Sequence, residues 1–191
     1  MKIPALVLAL AGALAVAGCS QQDAATPVAA GTPAQSYDAV IAQGKGFTVG
    51  TLMSANTVYV LFDPQCPHCG HLWEAARPLL GKTKFVWIPV SIINGNSAPQ
   101  GAALLAAANP LDAMTAHEAS ILAGTGGTPA SGSLTPEAEA TIKKNTELFT
   151  RLKLESVPFI VTKSASSGQI VTHSGALDTP ALASLLGLNP P

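Results

Sequence analysis

Two continuous runs of apolar residues dominate the middle of the chain. Residues 57–62 read TVYVLF and residues 84–90 read KFVWIPV, and both are rich in β-branched and aromatic side chains. Such runs are typical of strands that are buried on both faces of a sheet. Two shorter runs, at 159–162 and 169–172, are separated by a Ser/Gly loop and predict a hairpin. The segment 37–50 predicts a short helix followed by an edge strand.

A helix is predicted directly after the first strand, because apolar residues recur there at helical spacing. Pro78 lies inside this pattern, so we expect the helix to kink or stop near its end. The apolar face consists of Leu72, Trp73, Ala76, Leu79 and Leu80.

Further helices are predicted in the second half of the chain. Residues 100–108 and 112–122 predict two short Ala-rich helices, which Asn109-Pro110 separates. Thr135 and Pro136 are suited to the N-cap and first position of a longer helix that runs to about residue 154. Residues 179–186 predict a last helix.

The resulting order of elements is strand, helix, strand, helical insert, helix, strand, strand, helix. This order resembles the thioredoxin-like fold, an α/β fold in which helices flank a central mixed β-sheet. We therefore predict a thioredoxin-like domain over residues 37–191, with the helical insert at about 98–134.

The N-terminus has the pattern of an export signal. A positive start is followed by a run of apolar and small residues that is too short to span a bilayer comfortably, which predicts a lipoprotein signal peptide over residues 1–18. The sequence Val16-Ala17-Gly18-Cys19 resembles a bacterial lipobox, so we expect lipidation of Cys19. An ordinary cleaved signal or an uncleaved anchor is the alternative. Residues 19–36 are mostly Ala, Gln, Thr, Pro and Gly and predict a flexible tether.

Composition narrows the function classes. The formal net charge is −1, without a long run of one sign, so no basic face for nucleic acid is expected. An Asp directly after the lipidated Cys would resemble an inner-membrane retention signal. Residue 20 is Ser instead, and this favours the outer membrane.

Of the three cysteines, lipidation of Cys19 leaves the pair Cys66 and Cys69. An exported compartment is oxidising, so this pair is expected to cycle between dithiol and disulfide.

The motif Cys66-Pro67-His68-Cys69 suits thiol–disulfide chemistry. A dithiol catalyst needs one acidified sulfur that attacks and a second sulfur that resolves the mixed disulfide. Cys66 is expected at the start of a helix, where free N–H groups and the helix dipole stabilise a thiolate, with Pro67 in the first turn. His68 favours the anion further, and Cys69 lies almost one turn later.

The pair also has three other interpretations. A zinc site would need two more Cys or His ligands at matching spacing, although His71, His117 and His173 could in principle assemble one. Attachment of c-type haem requires His directly after the second Cys, where Gly70 stands. An inert structural disulfide would constrain little chain and would add little stability.

Val157-Pro158 is the second informative position. Pro is tolerated at the first residue of a strand but not at its centre, and a strand is predicted from Phe159. A cis bond is one possibility, because a cis proline usually has a specific structural use. A trans proline at the start of the strand is the alternative.

These residues resemble the catalytic domain of the DsbC/DsbG thiol:disulfide interchange proteins. The block from Phe62 to Cys69, the following Leu72-Trp73 and Ala76-Arg77-Pro78, and Val157-Pro158 carry the resemblance, which covers roughly residues 55–188. The resemblance implies that Cys66 is the nucleophile, that Cys69 resolves, and that Pro158 is a cis-proline that helps to dock substrate.

The chain also departs from that family. Pro67-His68 and Val157 resemble the oxidant DsbA instead, and the buried acid of thioredoxin would fall at Val60. The segment between Cys19 and Thr57 is too short for the family's N-terminal dimerisation domain, so we expect a monomer with weak isomerase activity.

The remaining aromatic and charged side chains of interest are expected at structural or surface positions. We expect Trp73 and Trp87 in the core and His117 on the surface. Glu155 and Asp63 are expected as solvated loop residues or as caps of neighbouring backbone.

The sequence therefore predicts an enzyme that exchanges disulfides with exported, cysteine-containing proteins through a Cys66–Cys69 disulfide, without a cofactor or metal. A membrane redox partner and a lipid anchor in the periplasm are expected. The alternative is a thioredoxin-fold lipoprotein that delivers a metal or assists assembly with the same two cysteines as ligands.

Overall fold

The structure is a computed structural model that describes Met1, residues 31–130 and residues 135–190. The predicted signal peptide beyond Met1, Cys19 and most of the predicted tether lie outside these residues. Among the described helices, none has the length and apolar character that a membrane crossing requires.

Within the described residues, five strands form one mixed sheet in the order β1-β3-β2-β4-β5. β2 and β3 are parallel, and the three other neighbouring pairs are antiparallel. The strands are β1 (Phe47–Gly50), β2 (Thr57–Phe62), β3 (Lys84–Pro89), β4 (Phe159–Lys163) and β5 (Ile170–Ser174). The mixed sheet flanked by helices confirms the predicted fold class, and β2 has the predicted bounds.

In the part of the chain that the structure describes, six α-helices surround the sheet. α2 contacts α4 and α6, whereas α1 and α3 contact α5. The helices are α1 (Pro33–Gln43), α2 (Pro67–Ala76), α3 (Ser97–Leu105), α4 (Pro110–Leu122), α5 (Pro136–Arg151) and α6 (Thr179–Leu186). α2 ends before Pro78 and continues as a 3₁₀ turn over Arg77–Leu79, which agrees with the expected stop.

The first helix begins earlier than the sequence predicted. The tether was expected to reach residue 36, but α1 starts at Pro33 and Thr32 is its N-cap. The Thr32 hydroxyl accepts from the Gln35 N–H at 3.3 Å, and Gln35 Oε1 accepts from the Thr32 N–H at 2.8 Å. This capping box defines the start of a helix despite the Ala- and Pro-rich composition.

The core contains a cluster of aromatic rings around Trp87. The Trp73 and Trp87 rings meet edge to face at 5.3 Å, and Phe62 contacts Trp87 in the same way at 5.5 Å. Both tryptophans are buried, which confirms their predicted core position. Because Phe62 ends β2 and Trp73 lies on α2, this packing fixes the helix against the sheet just beyond the cysteine motif.

Candidate active site

The cysteine motif lies where β2 passes into α2. Asp63, Pro64 and Gln65 form a turn after the strand, and Cys66 is the N-cap residue of α2 with extended backbone angles. Pro67 takes the first helical position, which needs no N–H donor. The first sulfur is thereby at the positive end of the helix, as the sequence predicted.

The environment of Cys66 favours the thiolate. The pKa of Cys66 is lowered to about 6, chiefly because the Cys69 thiol donates a hydrogen bond to its sulfur. Burial opposes this shift, while the backbone N–H groups of Cys69 and His68 and the charge of the His68 ring support it. A thiol with this pKa is largely ionised at neutral pH and is a good nucleophile.

Cys69 has the opposite character. Its side chain is fully buried, and burial raises its pKa well above the ordinary value. Its hydrogen bond to Cys66 and the charges of Cys66 and Glu118 act in the same direction. Both cysteines are free thiols in this structure, so it represents the dithiol form, and their disulfide remains a prediction.

Val157-Pro158, the second position that the sequence indicated, lies directly beside Cys66. The Val157–Pro158 peptide bond is cis, and the Val157 carbonyl oxygen is 3.6 Å from the Cys66 sulfur. Residues 91 positions apart in sequence therefore meet, because β4 pairs with β2 and begins immediately after Pro158. The cis geometry agrees with what the family resemblance implied for Pro158.

Asp63 has a larger structural role than a solvated loop residue. Its side chain is fully buried and accepts from the Gln65 N–H at 2.8 Å and from the Ile92 and Ile93 N–H groups at 2.7 and 3.0 Å. The solvated position was therefore wrong, whereas capping of neighbouring backbone is what the side chain does. Because β2 and β3 are parallel, their carboxyl ends meet at one edge of the sheet, and Asp63 joins the two loops there. Glu155, in contrast, is exposed in a loop, as expected.

The surface position predicted for His117 was wrong, because the side chain is fully buried. Its Nε2 lies 2.7 Å from the Pro64 carbonyl oxygen, and the Thr128 N–H donates to Nδ1 at 3.2 Å. These partners define a neutral ring that donates through Nε2, and burial lowers its pKa. His117 thus connects α4 to the loop before Cys66.

Gln65 forms a second connection between the insert and this loop. Its amide donates to the Gly126 carbonyl at 2.9 Å, and Gln100 of α3 donates to the same carbonyl at 2.9 Å. Asn94 donates to the Gln65 side-chain oxygen at 3.0 Å. The helical insert therefore holds the active-site loop in place by hydrogen bonds, which the sequence did not reveal.

One buried acid near the cysteines was not identified from the sequence. Glu118 lies on α4, is fully buried, and has its pKa raised to about 9 by burial and then by the negative charges of Cys66 and Asp63. Glu118 shares the buried face of α4 with Met114, His117 and Ile121, but only the apolar Met114 and Ile121 mark that face in the sequence.

No arrangement of ligands for a metal is visible at the motif. Over residues 31–130 and 135–190, no group of three or more His, Cys, Asp or Glu side chains could hold a metal ion. His68 and His71 are exposed, with ring centroids 6.5 Å apart. The predicted additional histidine ligands thus have no shared site in the described part of the chain.

The fold and the cysteine pair define the class of protein, a thioredoxin-fold protein with a CxxC dithiol. Comparisons support the same class. Over 146 residues the chain is 34% identical to the thiol:disulfide interchange protein DsbG of Pseudomonas aeruginosa, a match that covers 72% of this chain and 54% of DsbG. It is 38% identical over 65 residues to DsbG of Escherichia coli, covering 33% of this chain and 26% of that protein. The chain thus spans about half the length of the first relative and about a quarter of the second, and no protein-family model matches it.

Solved structures show the same fold. The catalytic domain of Proteus mirabilis ScsC superposes with a TM-score of 0.60 at 18% identity, covering 80% of this chain and 93% of that one. A disulfide interchange protein of Neisseria gonorrhoeae superposes with a TM-score of 0.58 at 18% identity, covering 76% and 97%. The chain is a thioredoxin-like α/β protein that resembles the DsbG-type thiol:disulfide interchange proteins, as the sequence predicted, and these relatives do not favour metal delivery.

Proposed function

We propose that this protein is a thiol:disulfide oxidoreductase whose Cys66 and Cys69 exchange disulfides with cysteine-containing proteins. The observation that carries the proposal is the contrast between the two sulfurs. Cys66 has a pKa lowered to about 6 at the start of α2, while Cys69 is buried and has a raised pKa. Cys66 is therefore the sulfur that attacks, and Cys69 stays protonated as a thiol until it resolves the mixed disulfide.

In the reducing direction the Cys66 thiolate attacks one sulfur of a substrate disulfide. A bond forms between Cys66 and that sulfur, and the other substrate sulfur leaves as a thiolate. Cys69 then loses its proton and attacks the Cys66 sulfur, which releases the second substrate thiolate and leaves the Cys66–Cys69 disulfide. The oxidising direction is the reverse of these steps, with electrons passing from the substrate dithiol to the protein.

The surroundings of Cys66 suit an extended substrate chain. The Cys66 residue retains 5% exposure, and Val157 and cis-Pro158 lie beside its sulfur. Ile92 and Ile93, whose N–H groups are bonded to Asp63, are 42% and 46% exposed at the same edge of the sheet. An apolar rim of this kind favours unfolded or partly folded protein substrates.

The direction of exchange follows from the stabilised thiolate. Hydrogen bonds to the Cys66 thiolate stabilise the dithiol form relative to the disulfide, which raises the reduction potential. We therefore propose that the protein acts mainly as an oxidant, and its potential measured against glutathione tests this.

The proposal extends to the location and the oligomeric state of the protein. We propose a periplasmic protein that is anchored through lipidated Cys19, with the outer membrane favoured, that acts as a monomer and exchanges electrons with a membrane redox partner. Mass analysis of the protein from membranes of wild type and a Cys19→Ser variant tests the anchor. Light scattering of the purified domain tests the monomeric state.

The function itself is tested with two single variants. Cys66→Ala removes the nucleophile and is expected to abolish dithiol exchange, whereas Cys69→Ala is expected to accumulate mixed disulfides with substrates on Cys66. Replacement of an exposed residue on the same helix, Glu74→Gln, serves as the matched control. Unchanged exchange in both cysteine variants would refute the proposal.

A further inference from the structure

Glu118 is a buried carboxyl group that the exchange steps above leave without a role. Both of its oxygen atoms are buried, and neither has a hydrogen-bond partner among the residues that the structure describes. A carboxyl group in this situation lowers stability, because its hydration is lost without replacement. Its presence at this place therefore calls for a functional reason.

The carboxyl group lies against the backbone of the cysteine motif. α4 packs on α2, and Glu118 Oε2 is 3.0 Å from the point that a Cβ atom on Gly70 would occupy. Gly70 directly follows Cys69 in the chain. A residue without a side chain here leaves room for the carboxyl group beside the resolving cysteine.

The charged groups that face Glu118 come from α2 and from the turn before it. Cys66 and Asp63 both act on the carboxyl group, and Glu118 in turn acts on Cys69. His117, its neighbour on α4, is a neutral ring engaged with Pro64 and Thr128. Glu118 thus belongs electrostatically to the dithiol site.

We propose that Glu118 accepts the proton of Cys69 when this cysteine attacks the mixed disulfide. The Cys69 S–H proton passes to the ionised Glu118 carboxylate, directly or across one water, and the Cys69 sulfur bonds to Cys66. The bond between Cys66 and the substrate sulfur breaks, and the substrate leaves as a thiolate. This inference rests on the proposed function. It adds a proton acceptor that comes from the helical insert, whereas the position on β2 where thioredoxin has its buried acid is occupied by Val60.

The chemistry of the pair supports this assignment. Burial raises the pKa values of both groups, and a carboxylate whose pKa is raised is a stronger base toward the Cys69 thiol. Formation of the mixed disulfide removes the negative charge of the Cys66 thiolate, which is one cause of the raised pKa of Glu118. The carboxyl group therefore becomes more acidic at the stage where an ionised acceptor is required.

Glutathione disulfide separates the two steps of exchange. Reduced protein first forms a mixed disulfide at Cys66, and Cys69 then releases glutathione. We expect Glu118→Gln to leave the first rate within about twofold and to slow the second by at least about tenfold near neutral pH, in line with the general-base contribution. The variant should also lose the carboxylate inflection in the pH profile of the second step. Glu118→Asp should retain part of the rate, and Glu147→Gln, an exposed glutamate on α5, should match wild type.

A second-step rate and pH profile in Glu118→Gln equal to wild type would overturn the inference, while a wild-type protein that forms no mixed disulfide would instead refute the proposed function. A measurement on the intact glutamate covers the case in which the glutamine variant does not fold. Infrared spectra of Cys69→Ala should show a protonated carboxyl group when Cys66 is a thiolate, and its pKa should fall when Cys66 carries glutathione. An identical carboxyl pKa in both forms would also overturn the inference.

Discussion

Replacement of Glu118 by Gln should change how the stability of the protein depends on pH. In the folded protein the pKa of Glu118 is raised to about 9 from an ordinary value of 4.5, mainly by burial. Between these values the folded chain keeps a proton that the unfolded chain has released. Stability is therefore highest below the unfolded pKa and falls as pH rises toward the folded one.

The magnitude follows from the size of the shift. Each pH unit within this window costs about 1.4 kcal/mol, so the contribution of Glu118 falls by about 3 kcal/mol from about pH 5.5 to about pH 7.5. A glutamine has no proton to retain, and its own cost as a buried amide does not vary with pH. The free energy of unfolding of Glu118→Gln minus that of wild type should therefore increase by about 3 kcal/mol over this range.

Urea unfolding of the reduced proteins at several pH values measures this difference. Because the Cys66 thiolate also raises the pKa of Glu118, the comparison is repeated in a Cys66→Ser background. Burial remains there as the largest cause, but the pKa is lower, so the slope should persist only up to that lower pKa. Glu147→Gln is the matched control and should show no change in slope. Parallel pH curves for Glu118→Gln and wild type would refute the buried, protonated state of this glutamate.

Three further predictions concern the groups around Cys66. Cys69→Ala should raise the pKa of Cys66 more than His68→Ala does, because the Cys69 hydrogen bond is the largest cause of the lowered value. The ultraviolet absorbance of the thiolate measures the Cys66 pKa in both variants, and the reverse order would contradict the assignment. Asp63→Asn should destabilise the fold by about 1–3 kcal/mol by weakening its bonds to the Ile92 and Ile93 N–H groups, as denaturant unfolding would show; an unchanged midpoint would count against this role. His117→Gln should make the free energy of unfolding fall less steeply at acidic pH. Burial lowers the pKa of His117, so in wild type the unfolded chain binds an extra proton as pH falls below about 6.5. A fall as steep as in wild type would contradict a neutral buried ring.

The parts of the fold with strong local signals could be predicted from the sequence. β2 has the predicted bounds because a continuous β-branched and aromatic run leaves few alternatives, and α6 likewise has its predicted bounds. The position of Cys66 at the start of a helix follows from the strand before it and from Pro67 after it. These features depend on residues that are close together in the chain, and a sequence pattern shows such residues directly.

The supporting groups of the site depend on contacts between distant segments. Asp63 is buried because the loop after β3 supplies two N–H donors, and no pattern near residue 63 indicates that. His117 and Glu118 lie on an Ala-rich helix, where polar residues suggest a solvent face, yet α4 turns them toward Pro64 and the cysteines. The missing acid at Val60 could be read from the sequence, but the acid that α4 brings beside Gly70 could not.

The most direct test of the account is the equilibrium of the reduced protein with glutathione redox buffers, followed by mass analysis of Cys66 and Cys69. The account predicts that both thiols convert together to one intramolecular disulfide as the buffer becomes more oxidising, and that the Cys69→Ala variant stops at a glutathione adduct on Cys66. Cysteines that remain unmodified dithiols across the whole range of buffers, or an adduct that forms on Cys69 in preference to Cys66, would contradict it.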